Sequence, residues 1–279
     1  MSVKLTILCE NSVGRPIAAC GEHGFACLVT TPKLTCLFDT GSGKTLLSNM
    51  ACLDVDPHKI DLIVLSHGHS DHAGGLLPLL KEIGPRPVIA HPQIFTERCW
   101  RGQHELRDIS LPHTLDQLEA AGAEFIFQKH KTTLAPGLIY SGMIPRREET
   151  EQGDPSLLSR TPPQQRWQMD DFPDDAALSI ETEKGLVILL GCAHSGLINT
   201  VEYFRSTLNR SRIHAIVGGT HLGPASEEQF QTTVSYLKQL DFDRLGVSHC
   251  TGQIRSAQLY AQFPNKVFFA SVGSSLSVS

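Results

Sequence analysis

The sequence lacks features that would place it in several large classes of protein. Its first residues contain one lysine and an apolar run of only 5–9, which is too short for a signal peptide core or a membrane span. It has no basic excess, because 24 Lys and Arg stand against 29 Asp and Glu for a net charge of −5, whereas nucleic-acid binders usually carry a basic face. Its eight cysteines form no C-x-x-C pair, so reduced thiols are expected rather than disulfides. We therefore expect a cytoplasmic protein with no nucleic-acid partner and no membrane contact.

Strand and helix patterns alternate along the chain, which is typical of an α/β fold. The 279 residues, 41% of them hydrophobic, suffice to bury about three quarters of the unfolded surface. Short β-rich runs bounded by Gly and Pro predict strands at 3–10, 25–30, 35–38, 60–65, 87–90, 124–128, 138–141, 177–181, 186–190, 213–217, 244–247 and 267–272. Helical patterns occur at 44–51, 71–83, 114–121, 198–208 and from 226 onward.

The composition changes between about residues 92 and 175. This stretch is polar, and its last part, 145–175, is rich in Pro, Gln, Arg, Asp and Glu without periodicity. Loops of that length in a compact domain are usually lids or disordered. We predict one domain over 1–279, and the stretch is compatible with a small inserted α+β subdomain and a lid.

The densest group of reactive side chains follows the strand predicted at 60–65. His67, His69, Asp71 and His72 fall within six residues, separated only by Gly and Ser. Neutral imidazole and carboxylate are ligands that zinc, iron and manganese accept. His67 and His69 can share one metal from an extended segment, whereas Asp71 and His72 face a second. The order predicts two metal ions; the alternative is a polar loop in a chain with 13 histidines.

The stretch LIVLSHGHSDHAGGL, residues 62–76, resembles the H-x-H-x-D-H motif of the metallo-β-lactamase superfamily. The resemblance implies a four-layer αββα sandwich. FDTG at 38–41 resembles the first motif of that superfamily, in which the aspartate, here Asp39, orients the site through hydrogen bonds without binding metal. An ordinary Asp-Thr-Gly turn is the other interpretation of Asp39.

Three further histidines, His194, His221 and His249, each end a predicted strand and precede a glycine by two or three residues. By resemblance, His249 is the last ligand of the second metal and His194 is a metal ligand. His221 is a ligand, a substrate contact or a core histidine. Most members of the superfamily have a metal-bridging aspartate where this chain has Cys192, which is either a thiolate ligand or a buried inert thiol.

Five more residues have weaker support from the sequence. Asp174 and Asp175 lie where the histidine of the third superfamily motif would fall, and could be ligands, helix caps or loop acids. His23 and His91 lie at strand boundaries near candidate site loops. Arg146 could pair with a substrate phosphate through both guanidinium arms, or could be an exposed loop residue.

Motifs spread over most of the chain are similar to one branch of the superfamily, the 7,8-dihydropterin-6-methyl-4-(β-ribofuranosyl)-aminobenzene-5′-phosphate synthase-like metallo-hydrolases. The stretches that carry this likeness are 10–12, 21–25, 66–75, 142–146, 191–196, 218–222 and 249–252.

The resemblance implies metal-dependent hydrolysis of a phosphoester or a related small-molecule substrate, with two divalent ions that lower the pKa of water from about 15.7 toward 7. Zinc is the first choice, with manganese or iron as alternatives. The expected metal ligands are His67, His69, Asp71, His72, His194 and His249. Asp71 and Asp39 are the expected catalytic residues, and Arg146 and His221 the expected substrate contacts.

Other functions fit the same fold. A synthase acting on a pterin phosphate and an iron redox enzyme are the alternative enzymes, and a binding protein without catalysis is a further one. A homo-oligomer is compatible with the sequence.

Overall fold

The computed structural model describes residues 2–161 and 166–278. Within them lie eighteen strands, β1 to β18 in chain order: Val3–Cys9, Ala26–Thr30, Thr35–Phe38, Leu62–Val64, Arg86–Ala90, Glu97–Arg101, Leu106–Asp108, Ala123–Phe127, Thr132–Ala135, Leu138–Tyr140, Leu157–Arg160, Gln168–Met169, Ala177–Thr182, Gly185–Leu190, Ile213–Gly219, Phe242–Ser248, Val267–Phe269 and Ser275–Val278. Seven α-helices, α1 to α7, span Leu46–Cys52, Ser70–Ala73, Leu76–Ile83, Leu115–Ala120, Leu197–Leu208, Glu227–Gln239 and Gln253–Gln262.

Two seven-stranded sheets lie face to face at the centre of the molecule. The first has the order β18-β1-β2-β3-β4-β5-β8 and the second β17-β16-β15-β14-β13-β10-β9. The apolar core between them includes Phe38 and Val64 of the first sheet and Tyr140 and Leu178 of the second. Strands covered on both faces carry near-continuous apolar runs, which is why the sequence shows them as short hydrophobic blocks.

Helices cover the two outer faces. Met50 of α1 and Leu79 of α3 belong to the apolar cluster outside the first sheet, and Phe204 of α5 and Phe230 of α6 belong to the cluster outside the second. The α/β class and the four-layer αββα arrangement are therefore confirmed. No helix in the described part of the chain is both long and apolar enough to span a bilayer.

The stretch 92–175 contributes to each of the three sheets found in the described residues. β8 joins the first sheet, β9 and β10 join the second, and a third sheet has the order β12-β11-β6-β7. Part of 145–175, predicted without regular structure, forms β11 and β12, and residues 162–165 lie outside the described residues. β11 pairs with β6, so that Leu157 lies opposite Trp100; this long-range pairing rather than a local pattern stabilises it.

The helix predicted at 71–83 is divided into α2 and α3 by a pair of glycines. A Cβ on Gly74 would lie 2.4 Å from the carbonyl oxygen of Ser70, and one on Gly75 would lie 2.1 Å from that of Thr40. The backbone approaches that closely only without side chains. At this break the histidine motif packs against the loop that follows β3.

The strand ends explain where the site lies. β4 of the first sheet runs parallel to β3, and β14, β15 and β16 of the second sheet run parallel to one another, and the loops after them meet at one edge of the sandwich. Ligands in α/β proteins commonly bind outside the carboxyl ends of strands.

Candidate metal centre

The first group of predicted ligands, His67, His69 and His194, converges at this edge. Nε2 of His67 lies 3.3 Å from Nε2 of His194. The ring of His69 lies 4.5 Å from that of His67 and 5.0 Å from that of His194, measured between centroids. All three side chains are buried. The structure thus brings together residues from the loops after β4 and β14, 127 positions apart.

The second group, Asp71, His72 and His249, lies beside the first. Nε2 of His72 is 3.2 Å from Nε2 of His249, and Oδ2 of Asp71 is 3.2 Å from the same nitrogen of His249. His23, which had only weak support from the sequence as a site residue, also approaches Asp71. Its Nε2 lies 3.2 Å from Oδ2 of Asp71. The loops after β4 and β16 therefore supply a second cluster of nitrogen and oxygen donors.

The donor set fits a divalent cation. Burial lowers the pKa of His67, His69 and His194 well below the usual value, which favours the neutral imidazole that metals bind. In the described part of the chain, the buried Nε2 of His69 has no hydrogen-bond partner. Buried polar atoms are normally paired, and ring nitrogens that face one another at about 3.2 Å leave their lone pairs unshared. A cation between them satisfies both.

Asp39 orients this centre through hydrogen bonds. Its carboxylate accepts hydrogen bonds from Ser66 N and Ser66 Oγ, each at 2.7 Å, and contacts Nδ1 of His72 at 2.7 Å. Because the carboxylate accepts the Nδ1 proton of His72, Nε2 of that ring keeps its lone pair for a ligand. Asp39 itself is fully buried and has a φ of 59°. It contacts the ligands and not the space between them.

Two supports of His249 received no role in the sequence interpretation. Oε1 of Glu10, a buried residue, accepts a hydrogen bond from His249 N at 2.7 Å, and Oδ1 of Asn11 lies 2.9 Å from His249 Nδ1. The amide oxygen of Asn11 accepts the proton on Nδ1, which leaves the lone pair of Nε2 directed at His72. The pair Glu-Asn directly after the first strand was the available signal, but 238 residues separate Asn11 from its partner.

Asp174 and Asp175 hold the two histidine-bearing loops. Oδ2 of Asp174 accepts from Gly68 N at 2.9 Å, and Oδ2 of Asp175 accepts from Ser195 N at 2.8 Å. Of the three interpretations left open by the sequence, the geometry matches that of loop acids, and in the described chain neither belongs to a group of three or more donors with metal spacing.

A buried arginine connects the third sheet to these loops. Arg98 of β6 donates from Nε to Asp170 at 2.6 Å and from Nη2 to Asp174 at 2.5 Å. Its guanidinium lies 5.3 Å from the ring of Phe172, and Phe172 stacks on His194 with 3.9 Å between centroids and 7° between planes. The sequence interpretation missed both residues, since no local pattern distinguishes them.

Cys192 lies between the two groups of ligands. Its Sγ is 3.1 Å from Nε2 of His72. Among the described residues it also belongs to three sets of donor atoms that lie within 4.8 Å of one another: one with His67 and His194, one with His72 and His249, and one with His221 and Cys250. The thiol is 2% exposed, and without a cation burial raises its pKa well above the usual value.

His221 lies beside this centre. Its Nε2 is 3.5 Å from Oδ2 of Asp154, its backbone N donates to Sγ of Cys250 at 3.2 Å, and its ring is 4.4 Å from that of His194. Burial by itself lowers the pKa of His221, but the hydrogen bonds with Asp154 and Cys250 outweigh it and raise the pKa to about 9. His221 forms a set of possible metal donors with Cys192 and Cys250, and it also lines the cavity described next.

A cavity of ≈ 560 Å³ opens above the ligands, within the range of about 300–1,000 Å³ usual for small-molecule sites. The third sheet forms one wall with Trp100, Arg107 and Leu157. The guanidinium of Arg107 lies 5.0 Å from the Trp100 ring. The wall thus offers a flat apolar surface and a positive charge.

Arg146 and His91, two candidate site residues from the sequence, are not among the described residues that line this cavity. Arg146 donates from Nη1 to the carbonyl of Glu151 at 3.1 Å and from Nη2 to that of Asp171 at 3.4 Å. Among the described residues, the cavity lining does not include it, so the structure does not bring Arg146 together with the ligands, and its contact with a substrate phosphate stays a prediction. His91 is buried, and its Nδ1 accepts from Gln93 N at 3.2 Å.

Residues 21–197 match the sequence model of the family described as "Metallo-beta-lactamase superfamily". The 7,8-dihydropterin-6-methyl-4-(β-D-ribofuranosyl)-aminobenzene-5′-phosphate synthase of Methanocaldococcus jannaschii is 31% identical over 259 residues, which cover 90% of this chain and 88% of the relative.

Two solved structures extend the comparison. Tm1679, described as a metal-dependent hydrolase of the β-lactamase superfamily, superimposes with a TM-score of 0.84 at 26% identity and 99% coverage of both chains. Zinc-bound PqqB from Methylobacterium extorquens matches with a TM-score of 0.57 at 13% identity, covering 99% of this chain and 100% of the other. The second likeness shows the fold alone.

Proposed function

Because the chain belongs to the metallo-β-lactamase superfamily, as its motifs predicted, we propose that it is a dinuclear metal-dependent hydrolase of a phosphoester or a related small molecule. The observation that carries the proposal is the convergence of two adjacent groups of predicted ligands next to one cavity, whose lining includes His69, Asp71, His194 and His249. His67, His69 and His194 would hold one divalent ion, and Asp71, His72 and His249 the other.

Bound divalent ions would polarise a substrate oxygen and lower the pKa of water, which is the chemistry that hydrolysis needs. The protein's own contribution is orientation. Asp39 and Asn11 fix which nitrogen of His72 and His249 is free, and Asp71 directs a carboxylate oxygen into the same space. Side chains held by such outer hydrogen bonds lose little freedom on binding.

The cavity supports a small substrate that carries negative charge. Its volume is that of a metabolite site, and Arg107 on the wall opposite the ligands can pair with a phosphate. His221, held between Asp154 and Cys250, is placed to contact the reacting part of the substrate. Zinc remains the first choice of metal, since a centre rich in histidine suits it.

The test compares metal-stripped and zinc-loaded protein on an activated phosphodiester and an activated thioester. We expect hydrolysis only by the loaded protein. His69→Ala should lower the rate by more than the roughly 10–100-fold typical of losing an outer hydrogen-bond partner, and should lower the bound metal. His58→Ala, at an exposed histidine outside the ligand groups, is the matched control. Absence of hydrolysis of either substrate class, with no effect of His69→Ala, would contradict the proposal.

A pterin-phosphate synthase is the second candidate, because a relative with that printed name aligns with 90% of the chain. Mass spectrometry of a reaction between a reduced pterin that carries a leaving group on its 6-methyl carbon and a ribofuranosyl-aminobenzene phosphate separates the candidates. In that reaction the aminobenzene nitrogen displaces the leaving group and releases one N–H proton to water, which joins the two halves named in the product. Metal analysis separates both from an iron redox enzyme. One iron per chain without zinc or manganese favours the redox enzyme.

A further inference from the structure

We propose that Cys192 is a thiolate ligand shared by both metal ions, so that the two halves of the centre are joined through sulfur. This inference rests on the two-ion site of the proposed function. It assigns a residue that the superfamily resemblance leaves open, since the aspartate expected at this position is absent.

The position of the sulfur is the first support. Donor atoms of His67 and His194 on one side and of His72 and His249 on the other each form with Cys192 Sγ a set within 4.8 Å. The two sets have only this sulfur in common. A single atom near both groups of ligands is where a bridging ligand lies.

The second support is the protonation of the ring nitrogen that faces the sulfur, Nε2 of His72. Nδ1–H of His72 donates a hydrogen bond to Asp39 at 2.7 Å, so Nε2, 3.1 Å from the sulfur, carries a lone pair. Nε2 of His249 also carries a lone pair, because Nδ1–H of that ring donates a hydrogen bond to the amide oxygen of Asn11. Unlike a core thiol among apolar side chains, this sulfur faces groups that themselves need a cation, and a thiol that coordinates a metal is deprotonated, with its proton released to solvent.

Close packing of the backbone around Cys192 holds its sulfur in that position. A Cβ on Gly191 would lie 2.2 Å from Ser66 Oγ and 3.2 Å from Asp39 Oδ2, and a Cβ on Gly219 would lie 3.3 Å from the Cα of Cys192. The following residue, Ala193, has a φ of 56°, a conformation that L-residues rarely adopt and that tends to occur at functional sites. This tight turn presents the thiol and His194 to the same space.

The neighbouring thiol, Cys250, is a natural control. Its Sγ donates to the carbonyl of Cys192 at 3.5 Å and accepts from His221 N at 3.2 Å, so both roles of that sulfur are taken by the backbone. Its atoms lie in one donor set, with Cys192 and His221. Cys250 thus lies close to the centre but faces only part of it.

The experiment titrates the metal-free, reduced full-length chain with cobalt(II), which replaces zinc and gives a near-ultraviolet sulfur-to-cobalt charge-transfer band when bound by a thiolate. Bound cobalt is counted separately by mass spectrometry. We expect two cobalt ions per chain and a band that grows with both equivalents, because the sulfur contacts both ions. Growth with one equivalent alone would show a terminal ligand and overturn the shared role.

Variants identify the sulfur. Cys250→Ser should keep the band, whereas Cys192→Asp should keep two cobalt ions, since a carboxylate can also bridge, and lose the band entirely. Cys192→Ser provides a second variant in case the aspartate disturbs folding. A band that survives in both Cys192 variants, or that disappears in Cys250→Ser, overturns the assignment.

The outcomes separate the two proposals. Two bound cobalt ions without a band in the parent chain overturn the sulfur ligand and leave the metal-dependent hydrolase standing. Binding of no cobalt overturns both. A complete band with no hydrolysis of any tested ester supports the sulfur ligand and contradicts only the proposed reaction.

Discussion

We expect Arg98→Met to destabilise the protein by about 3–5 kcal/mol at neutral pH, because it removes the partner of two buried carboxylates. Arg98, Asp170 and Asp174 are all at most 2% exposed, and the arginine donates to the aspartates at 2.6 and 2.5 Å. Methionine has a similar length and no charge, so the carboxylates lose their counter-ion without leaving a large void. In a chain of this size each kcal/mol corresponds to a shift of about 2–4 °C in Tm.

The loss should depend on pH. Burial raises the pKa of Asp174 from 3.8 to about 6, and Arg98 opposes that rise. The folded state therefore holds this proton to a higher pH than the unfolded chain, and its stability falls as pH increases from about 4 to about 6. Without Arg98 the pKa of Asp174 rises further, so the protonated carboxyl persists to higher pH. The deficit of the variant should thus be smaller near pH 5 than near pH 7.5.

Urea unfolding of the metal-free protein at the two pH values measures the deficit, with the slope compared between variants. Arg101→Met, on the same strand with an exposed side chain, should change stability by about 0.5 kcal/mol or less. A loss below about 1 kcal/mol for Arg98→Met at neutral pH, or a deficit that grows toward acid, would show that the ion cluster does not stabilise the fold in this way.

Two further substitutions test the surroundings of the centre. Asp39→Asn should weaken metal binding by about 10–100-fold, because an amide cannot accept from His72 and Ser66 as the carboxylate does, and calorimetric titration with zinc measures the affinity. Asp61→Asn, at an exposed aspartate that accepts a hydrogen bond from a strand backbone, should leave the affinity unchanged. Glu151→Gln should flatten the fall in stability between about pH 4.5 and 7. Burial raises the pKa of Glu151 to about 7, so the folded wild type loses stability as pH rises through that window. An equal slope of Tm against pH in thermal scans of both proteins would contradict this.

The sequence predicted the central sheets because their strands are short apolar blocks bounded by glycine and proline, and β1 and β3 end within one residue of the expected positions. It did not predict the break at Gly74 and Gly75 within the helix expected at 71–83, since the contact of Gly75 with the backbone of Thr40 is a long-range effect. It also found no structure where β11 and β12 form, because each is stabilised by pairing with a partner strand rather than by its own pattern.

The sequence alone determined the chemistry of the centre, because six residues of one turn, from His67 to His72, carry four donors of the kind that bind divalent metals. Only the tertiary structure decided what surrounds them. Glu10 reaches His249 across 239 positions and Cys192 reaches His72 across 120, while Arg98 connects the third sheet to the ligand loops. Side-chain type and local spacing are written in a short stretch of chain, whereas contacts between distant segments depend on how the two sheets pack, and no local pattern records that.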